Sequence, residues 1–313
     1  MSVVLLPDNA RLDAIGPLPP SLDIRFIAPG AEPGPDHLAA QILVLAAELQ
    51  PLIERLHDFT RLEVIQTLNA GVDWLLPRVP SSVTVCNASG AHDIPVAEWV
   101  VAVILARYHR LPTYLTAQQR GEWDMEGNAL TTPPELIPGD DAHGKRVTIL
   151  GHGSIGRAVA RRLDPFGVSV LGVSRHGGPG LHVPAELANI ASRTDVLVIL
   201  CPLTDETRRM VDADVLARLP DGAMVVNGAR GAVLDQDALE VELRAGRLFA
   251  ALDVTDPEPL PSGHSLWTAP NLILTPHSAG SSRRWLERAY EFVGDQLRGV
   301  AAGEPLRNVR EGY

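Results

Sequence analysis

The segment from residue 146 to residue 163 constrains the fold more than any other part of this 313-residue chain. It begins with a β-branched apolar run at 146–150, continues as Gly-His-Gly-Ser-Ile-Gly at 151–156, and ends in apolar residues with helical spacing. A strand, a Gly-x-Gly-x-x-Gly turn and a helix in this order are typical of a dinucleotide site, in which the pyrophosphate lies at the helix N-terminus. The residues expected to contact the dinucleotide here are Gly151, Gly153, Ser154, Ile155 and Gly156.

Length and composition leave room for two α/β domains and exclude several classes of protein. Hydrophobic residues make up 45% and charged residues 21% of the chain, as in ordinary globular proteins. The formal net charge of −11 argues against a nucleic-acid or anionic-membrane surface. Cys86 and Cys201 suggest neither a disulfide framework nor a metal site. The apolar run at residues 3–6 is too short for a signal peptide or a membrane span, which predicts a cytoplasmic protein.

The first part of the chain predicts a small parallel sheet. Apolar runs at residues 3–6, 22–27, 41–46, 62–68 and 83–86 alternate with helix-length segments, a pattern typical of a doubly wound domain. A polar loop at 69–73 follows the fourth run, where open α/β sheets place their ligands. A ligand-binding loop and a plain connection remain equally good interpretations of it.

The middle of the chain predicts a buried helix followed by an irregular segment. Residues 96–106 are apolar almost all round, so a helix there must be buried, and we expect it between two domains. Residues 111–144 are rich in Pro, Gly, Thr and acidic residues, which favours a linker or a long excursion from the fold.

From residue 146 on, the pattern predicts a second domain of six parallel strands. After the strand at 146–150, further strands are expected at 168–173, 195–200, 223–226, 249–253 and 272–274, with helices at 212–219 and 235–245. An amphipathic helix at 281–300 could return to pack on the first domain. The predicted fold class is therefore α/β, with two doubly wound parallel-sheet domains.

The end of the second strand of this domain favours NADPH over NADH. NAD sites usually carry an Asp or Glu there, whereas this chain has Ser174 and Arg175. A serine hydroxyl and a guanidinium can bind the 2′-phosphate of NADPH, which a carboxylate would repel. The alternative is that the cofactor is NADH and that Arg175 is a solvated surface charge.

Four further stretches carry a family resemblance. They are Cys-Pro-Leu-Thr-Asp-Glu-Thr at 201–207, Asn-Gly-Ala-Arg-Gly at 227–231, Asp-Val-Thr-Asp-Pro-Glu-Pro-Leu at 253–260 and Thr-Pro-His-Ser-Ala-Gly at 275–280. With the glycine loop, they resemble the D-isomer-specific 2-hydroxyacid dehydrogenases, which include glyoxylate/hydroxypyruvate reductases. The resemblance implies a flavodoxin-like substrate domain of residues 1–112 and 284–313, a Rossmann dinucleotide-binding domain of residues 113–283, catalysis in the cleft, and a homodimer.

The resemblance also implies residue roles. Arg230 matches the family's substrate-binding arginine, Glu258 its orienting carboxylate and His277 its acid/base, and these residue types suit the reduction of a 2-oxo acid. Asp253 matches an aspartate near the nicotinamide. Substrate contacts are expected from the backbone N–H groups of Ala70 and Gly71 as well as from Arg230 and His277. The further positions expected to contact the cofactor are Cys201, Pro202, Thr207 and Ala229. No metal is implied.

Some features set this chain apart or leave alternatives open. Glu258 argues against the formate-oxidising branch, which carries glutamine, and an end at residue 313 argues against a long feedback-controlled phosphoglycerate dehydrogenase. His152 stands where the family is commonly apolar, which we expect to be tolerated. Trp123 is a candidate for reaching a dimer partner's active site. The rival functions are a nucleotide-sensing protein of the corepressor type, and oxidation of an inorganic anion such as phosphite.

Overall fold

The computed structural model describes residues 2–125, 128, 131–133 and 136–310. Numbered along the chain, the strands are β1 Ser2–Pro7, β2 Leu22–Ile27, β3 Ile42–Leu45, β4 Val64–Thr67, β5 Thr84–Cys86, β6 Arg146–Leu150, β7 Ser169–Val173, β8 Leu181–His182, β9 Val196–Ile199, β10 Met224–Asn227, β11 Phe249–Leu252, β12 Leu272–Leu274 and β13 Val309–Arg310. The α-helices are α1 Leu12–Ile15, α2 Pro35–Leu38, α3 Asp93–Tyr108, α4 Leu111–Gln119, α5 Ser154–Leu163, α6 Leu187–Ala191, α7 Ala213–Arg218, α8 Gln236–Arg244 and α9 Trp285–Ala301.

The described chain forms two compact units, the first comprising residues up to Asp93 and from Ser281 on, and the second Ile94–Gly280. The first unit has a six-stranded sheet in the order β13-β5-β4-β3-β1-β2, parallel except for β13. Its five parallel strands are those predicted. Strands β3 and β4, and β1 from residue 3 on, are buried on both faces, as expected for a covered parallel sheet, whereas the edge strand β2 is only partly buried. The two-residue strand β13 is an addition that the sequence pattern does not predict.

Helix α9 returns to the first unit, as its amphipathic pattern suggests. Ala289, Tyr290 and Val293 are fully buried in the core on one face of that sheet. A Cβ atom on Gly294 would lie 2.1 Å from the carbonyl oxygen of Ile15, so the absence of a side chain lets α9 contact the end of α1. The C-terminal helix is therefore part of the core of the first unit.

The second unit has a seven-stranded parallel sheet in the order β12-β11-β10-β9-β6-β7-β8. The six predicted strands are all present, and the short β8 extends one edge. Strands β7 and β9 flank β6 on either side, so the order reverses at β6, which is the position where open α/β sheets bind ligands. The side chains of Asp212 and Asp235 cap α7 and α8 by accepting backbone N–H bonds. The α/β fold class with two doubly wound sheets is thus confirmed.

The compact units differ from the predicted domain bounds at residues 94–112 and 281–283. Residues 94–112 lie in the second unit, because Ala97, Val100 and Ile104 of α3 pack in one core with Val147 and Ile149 of β6. An all-round apolar pattern predicts burial but does not say against which sheet. Residues 281–283 lie in the first unit with α9.

The expectation of a linker or excursion at residues 111–144 is wrong for its first part, which forms α4. Of the helix's nine residues only Ala117 is buried. The short helix lies within a segment whose Pro, Gly and Thr content favours irregular structure. No helix within the described ranges is both long enough and apolar enough to cross a membrane.

Candidate active site

The glycine loop that follows β6 fits a dinucleotide. Gly151 has φ of 101°, and a Cβ atom there would lie 2.4 Å from the backbone nitrogen of Cys201, so only glycine is accommodated. A Cβ atom on Gly156 would lie 2.5 Å from the carbonyl oxygen of Gly151, which explains the close packing of α5 on the loop. At Gly153, just before α5, a Cβ atom would meet nothing within 4 Å. That open space at a ten-residue helix's N-terminus suits a pyrophosphate.

His152 of this loop packs sideways onto β7. A Cβ atom on Gly172 would lie 2.7 Å from the His152 ring, so the imidazole occupies the place that a side chain of β7 would take. Burial, with a smaller contribution from the nearby Arg157 charge, lowers the pKa of His152 below its usual value. The ring is therefore a neutral packing element at neutral pH, a role that an apolar side chain could also fill.

The predicted 2′-phosphate residues lie at the carboxyl end of β7. The Ser174 hydroxyl donates to the carbonyl oxygen of Gly177 at 3.0 Å and so braces the turn that follows the strand. Arg175 forms an ion pair with Glu206, with Nη2 3.0 Å from Oε2. Both predicted residues are thus placed at the expected strand end, each with a protein partner.

The loop after β9, residues 201–207, is held by its own hydrogen bonds. The Thr207 hydroxyl donates to the carbonyl oxygen of Pro202 at 2.7 Å and accepts from the Thr204 N–H at 2.8 Å. Cys201 is buried, and burial raises the pKa of its thiol to about 12. Its thiol is therefore protonated and unreactive, and this loop has a shaping role beside the glycine loop.

Arg230 lies in the loop after β10, and the buried Asn227 shapes that loop. The Asn227 side chain accepts from the Ala229 N–H at 3.1 Å and donates to the Arg230 carbonyl oxygen at 2.9 Å. The Arg230 guanidinium itself donates to the Ala229 carbonyl oxygen at 2.8 Å. Asn227 was not among the predicted site residues, although it stands at the start of a recognised motif.

Two residues join the Arg230 loop to the segment that carries Glu258. A Cβ atom on Gly231 would lie 2.1 Å from the carbonyl carbon of Thr255, so the two backbones are in direct contact. The buried Gln236 side chain accepts from the Asp256 N–H at 3.0 Å and donates to the carbonyl oxygen of the same residue. Sequence reasoning missed Gln236, whose sole signal is an amide at the start of a helix.

Glu258 and His277 are in contact. The His277 Nδ1 atom lies 2.5 Å from the Glu258 Oε1 atom, and both side chains are partly exposed. With Nδ1 turned toward the carboxylate, Nε2 lies on the opposite edge of the ring and can carry the exchangeable proton. The arrangement matches a proton donor held by an orienting acid.

Asp253 holds the loop that carries His277. His277 has φ of 51°, in the left-handed region, and its N–H donates to the Asp253 carbonyl oxygen at 2.7 Å. The buried Asp253 carboxylate accepts bonds from the Thr275 hydroxyl at 2.5 Å and from the N–H groups of Ser278 at 2.8 Å and Ala279 at 2.9 Å. Its oxygens are thus engaged by the 275–279 loop, a positioning role that the sequence prediction did not include.

Ala70 and Gly71 lie in the first unit, just after β4. The Thr67 hydroxyl donates to the Asn69 carbonyl oxygen at 2.9 Å, and the Asn87 side-chain amide donates to the Ala70 carbonyl oxygen. These two bonds fix the conformation of the loop. In the part of the chain that the structure covers, the N–H groups of Ala70 and Gly71 have no protein acceptor. Two such N–H groups can bind a carboxylate. Among the same residues, no cluster of three or more His, Cys, Asp or Glu side chains could hold a metal ion.

Comparisons with known proteins show what this chain is similar to. The profile of the family described as "D-isomer specific 2-hydroxyacid dehydrogenase, NAD binding domain" matches residues 101–279. The human glyoxylate reductase/hydroxypyruvate reductase is 32% identical over 254 residues, 78% of this chain and 76% of the relative. A D-isomer specific 2-hydroxyacid dehydrogenase from Xanthobacter autotrophicus Py2, solved in complex with NADPH and MES, is 29% identical with a TM-score of 0.80, covering 100% of this chain and 99% of that one.

Similarity extends to a longer relative. The D-3-phosphoglycerate dehydrogenase of Methanocaldococcus jannaschii is 29% identical over 279 residues, which is 86% of this chain and 51% of the relative. The match therefore spans about half the length of that protein.

Proposed function

We propose a function for this chain, which belongs to the D-isomer specific 2-hydroxyacid dehydrogenase family. It reduces a small 2-oxo acid to a D-2-hydroxy acid, with NADPH as the hydride donor. The observation that carries the proposal is the 2.5 Å contact between His277 Nδ1 and Glu258 Oε1. It holds a proton donor in a fixed orientation on a loop that the buried Asp253 secures.

The roles of the chain's own residues follow from their chemistry. The Arg230 guanidinium would bind the substrate's carboxylate and ketone oxygen through its planar fork of donors, with the Ala70 and Gly71 N–H groups as a second carboxylate anchor. His277 Nε2 would donate a proton to the ketone oxygen, and Glu258 would stabilise the protonated ring. When bound, the reduced nicotinamide supplies the hydride.

The preference for NADPH rests on the end of β7. Arg175 offers a positive charge there, and residues 174–178 contain no carboxylate that would repel a 2′-phosphate. The Xanthobacter autotrophicus relative was solved with NADPH. Ser174, Thr207 and Ala229 are further proposed cofactor contacts, as are Cys201 and Pro202 in the loop after β9.

We also propose a homodimer. Leu111 and Leu115 of α4 are 49% and 57% exposed, and Trp123 is 86% exposed, a concentration of apolar surface that a second copy would cover. Sedimentation equilibrium should then give twice the chain mass of 33.6 kDa, and a mass of a single chain at micromolar concentration would contradict it. Burial of Trp123 against the partner remains part of this proposal.

Initial-rate measurements test the proposed function. Glyoxylate, hydroxypyruvate, pyruvate and phenylpyruvate are offered with NADPH and with NADH, and the chirality of the product is determined. We expect oxidation of NADPH that depends on the 2-oxo acid and yields the D-isomer, with glyoxylate and hydroxypyruvate preferred because of the similarity to the human reductase.

The same assay separates the rival functions. NADPH binding without oxidation by any of the four acids would contradict the proposal and favour a nucleotide-sensing protein. Reduction of NADP⁺ by phosphite, in the absence of activity on any 2-hydroxy acid, would favour oxidation of an inorganic anion.

A further inference from the structure

The Arg175–Glu206 ion pair brings a carboxylate to the place where the cofactor's 2′-phosphate is expected. Arg175 Nη2 lies 3.0 Å from Glu206 Oε2 and 3.1 Å from Oε1, so a single guanidinium nitrogen faces both carboxylate oxygens. The two residues come from separate loops, 31 positions apart in the chain. The end of β7 has no acid of its own, and the loop after β9 brings Glu206 to it.

The strand order explains how the two loops meet. Arg175 follows β7 and Glu206 belongs to the loop after β9, and these strands lie on either side of β6, which carries the glycine loop. All three strands are parallel, so their carboxyl ends form one edge. A dinucleotide whose pyrophosphate lies on the glycine loop would place its adenosine ribose along this edge.

Glu206 is carried on a rigid backbone. Thr204 and Thr207 lie on either side of it and are hydrogen-bonded to each other. The Thr204 N–H donates to the Thr207 hydroxyl at 2.8 Å, and the Thr207 N–H donates to the Thr204 hydroxyl at 3.2 Å. A carboxylate on this backbone can leave Arg175 by rotation of its side chain, while the backbone stays in place. The side chains of Arg175 and Glu206 are 58% and 63% exposed, so the pair is screened by solvent and breaks at modest cost.

We propose that Glu206 competes with the 2′-phosphate of NADPH for Arg175 and so limits the preference for NADPH, leaving the chain able to use NADH as well. The proposal rests on the proposed function, because it assumes that Arg175 receives the phosphate. NADH has a hydroxyl at the 2′ position and does not need to displace Glu206. Cofactor choice then depends on a contact between two loops rather than on the end of β7 alone.

Binding of the two cofactors to charge-neutralised variants tests this inference. Kd values for NADPH and NADH are measured by calorimetry, without substrate, for the wild type, Glu206→Gln, Arg175→Ala and the double variant. Asp205→Asn is the matched control, because Asp205 is the exposed neighbouring acid in the same loop and the charge change is identical. Titrations at about 0.01 M and about 0.15 M salt show the screening expected of exposed charges.

We expect Glu206→Gln to lower the Kd for NADPH about three- to five-fold, and to change that for NADH less than about two-fold. Asp205→Asn should leave the NADPH-to-NADH ratio as in the wild type. The double variant should match Arg175→Ala, because without the guanidinium there is nothing for Glu206 to compete over. The effect of Glu206→Gln should shrink at the higher salt concentration.

Three results would overturn the inference. They are an unchanged cofactor ratio in Glu206→Gln, a weaker binding of NADPH by that variant, and an equal gain in Asp205→Asn, which would indicate a general charge effect. Because binding is measured without turnover, the outcome is independent of the substrate assay. If the wild type has no reductase activity but Glu206→Gln binds NADPH more tightly, the proposed reaction is wrong and the competition is supported. If the wild type is active but Glu206→Gln leaves the cofactor ratio unchanged, the competition is wrong and the proposed reaction is supported.

Discussion

The buried carboxylate of Asp253 holds the loop that carries His277. The family resemblance assigns it to the nicotinamide, and in the structure its oxygens accept bonds from Thr275, Ser278 and Ala279, the residues around His277. The backbone of the same residue holds the His277 N–H. A contact to the nicotinamide remains a proposal, whereas the role in positioning His277 follows directly from these bonds.

The substitution Asp253→Asn tests this positioning role. An amide presents a donor in place of one oxygen, so either the Ala279 N–H or the pair of donors on the other oxygen would face an N–H group. We expect the free energy of unfolding to fall by about 1–3 kcal/mol and kcat to fall by about 10²-fold as His277 moves. Asp256→Asn, an exposed acid three positions away, serves as the control for charge and should behave as the wild type. Equal stability and equal kcat in the two variants would contradict the role.

Among the elements, the strands were the easiest to predict from sequence. Strands such as β3 and β9 are buried along their length, so they appear as short continuous apolar runs between turn residues. Helix α4 was missed because it is short and its segment was interpreted from its Pro, Gly and Thr content, although Leu111, Tyr114 and Leu115 have helical spacing. The strands β8 and β13 have two residues each, too few for any periodicity.

The loops of the site were predicted as motifs, and the resemblance implied the contact between Glu258 and His277. The other contacts between these loops were not predicted. Gln236 and Asp256 are 20 residues apart, and nothing in the spacing indicates that one clamps the backbone of the other. Likewise, the Arg175–Glu206 pair joins two loops that are separated in the sequence by β8, α6 and β9. Motifs predict which residue types stand at strand ends, whereas partners across strands depend on the sheet order.

Gly231 and Gly228 provide a matched test of the contact between two loops. A Cβ atom on Gly231 would overlap the Thr255 backbone, whereas one on Gly228 would lie 3.5 Å from Trp99, an ordinary van der Waals distance. We expect Gly231→Ala to lower the free energy of unfolding by about 1–3 kcal/mol, and Gly228→Ala to change it by less than about 0.5 kcal/mol. Urea denaturation measures both, and equal effects would refute a specific approach of the Arg230 loop to residues 255–256.

For the molecule as a whole, the sequence predicted the fold class and the family, both now confirmed, but not the full extent of each unit. The burial of α3 was predicted, yet which sheet it packs on depends on contacts with β6 that an apolar pattern does not specify. The net charge of −11 gave no hint of anionic ligands, because binding of a carboxylate or phosphate depends on local groups such as Arg230 and Arg175. Overall charge therefore bounds partners such as nucleic acids and leaves the small-molecule site to local geometry.

The central claim is that His277 donates the proton in the reduction of a 2-oxo acid, and the kcat of His277→Asn tests it most directly. Asparagine tolerates the left-handed backbone at this position, so the loop should keep its conformation. With NADPH and glyoxylate saturating, we predict that kcat falls by about 10²- to 10⁴-fold. The Kd for NADPH and the free energy of unfolding should stay as in the wild type. A variant that retained kcat to within about five-fold, in a protein that reduces 2-oxo acids, would contradict the assignment of the proton donor.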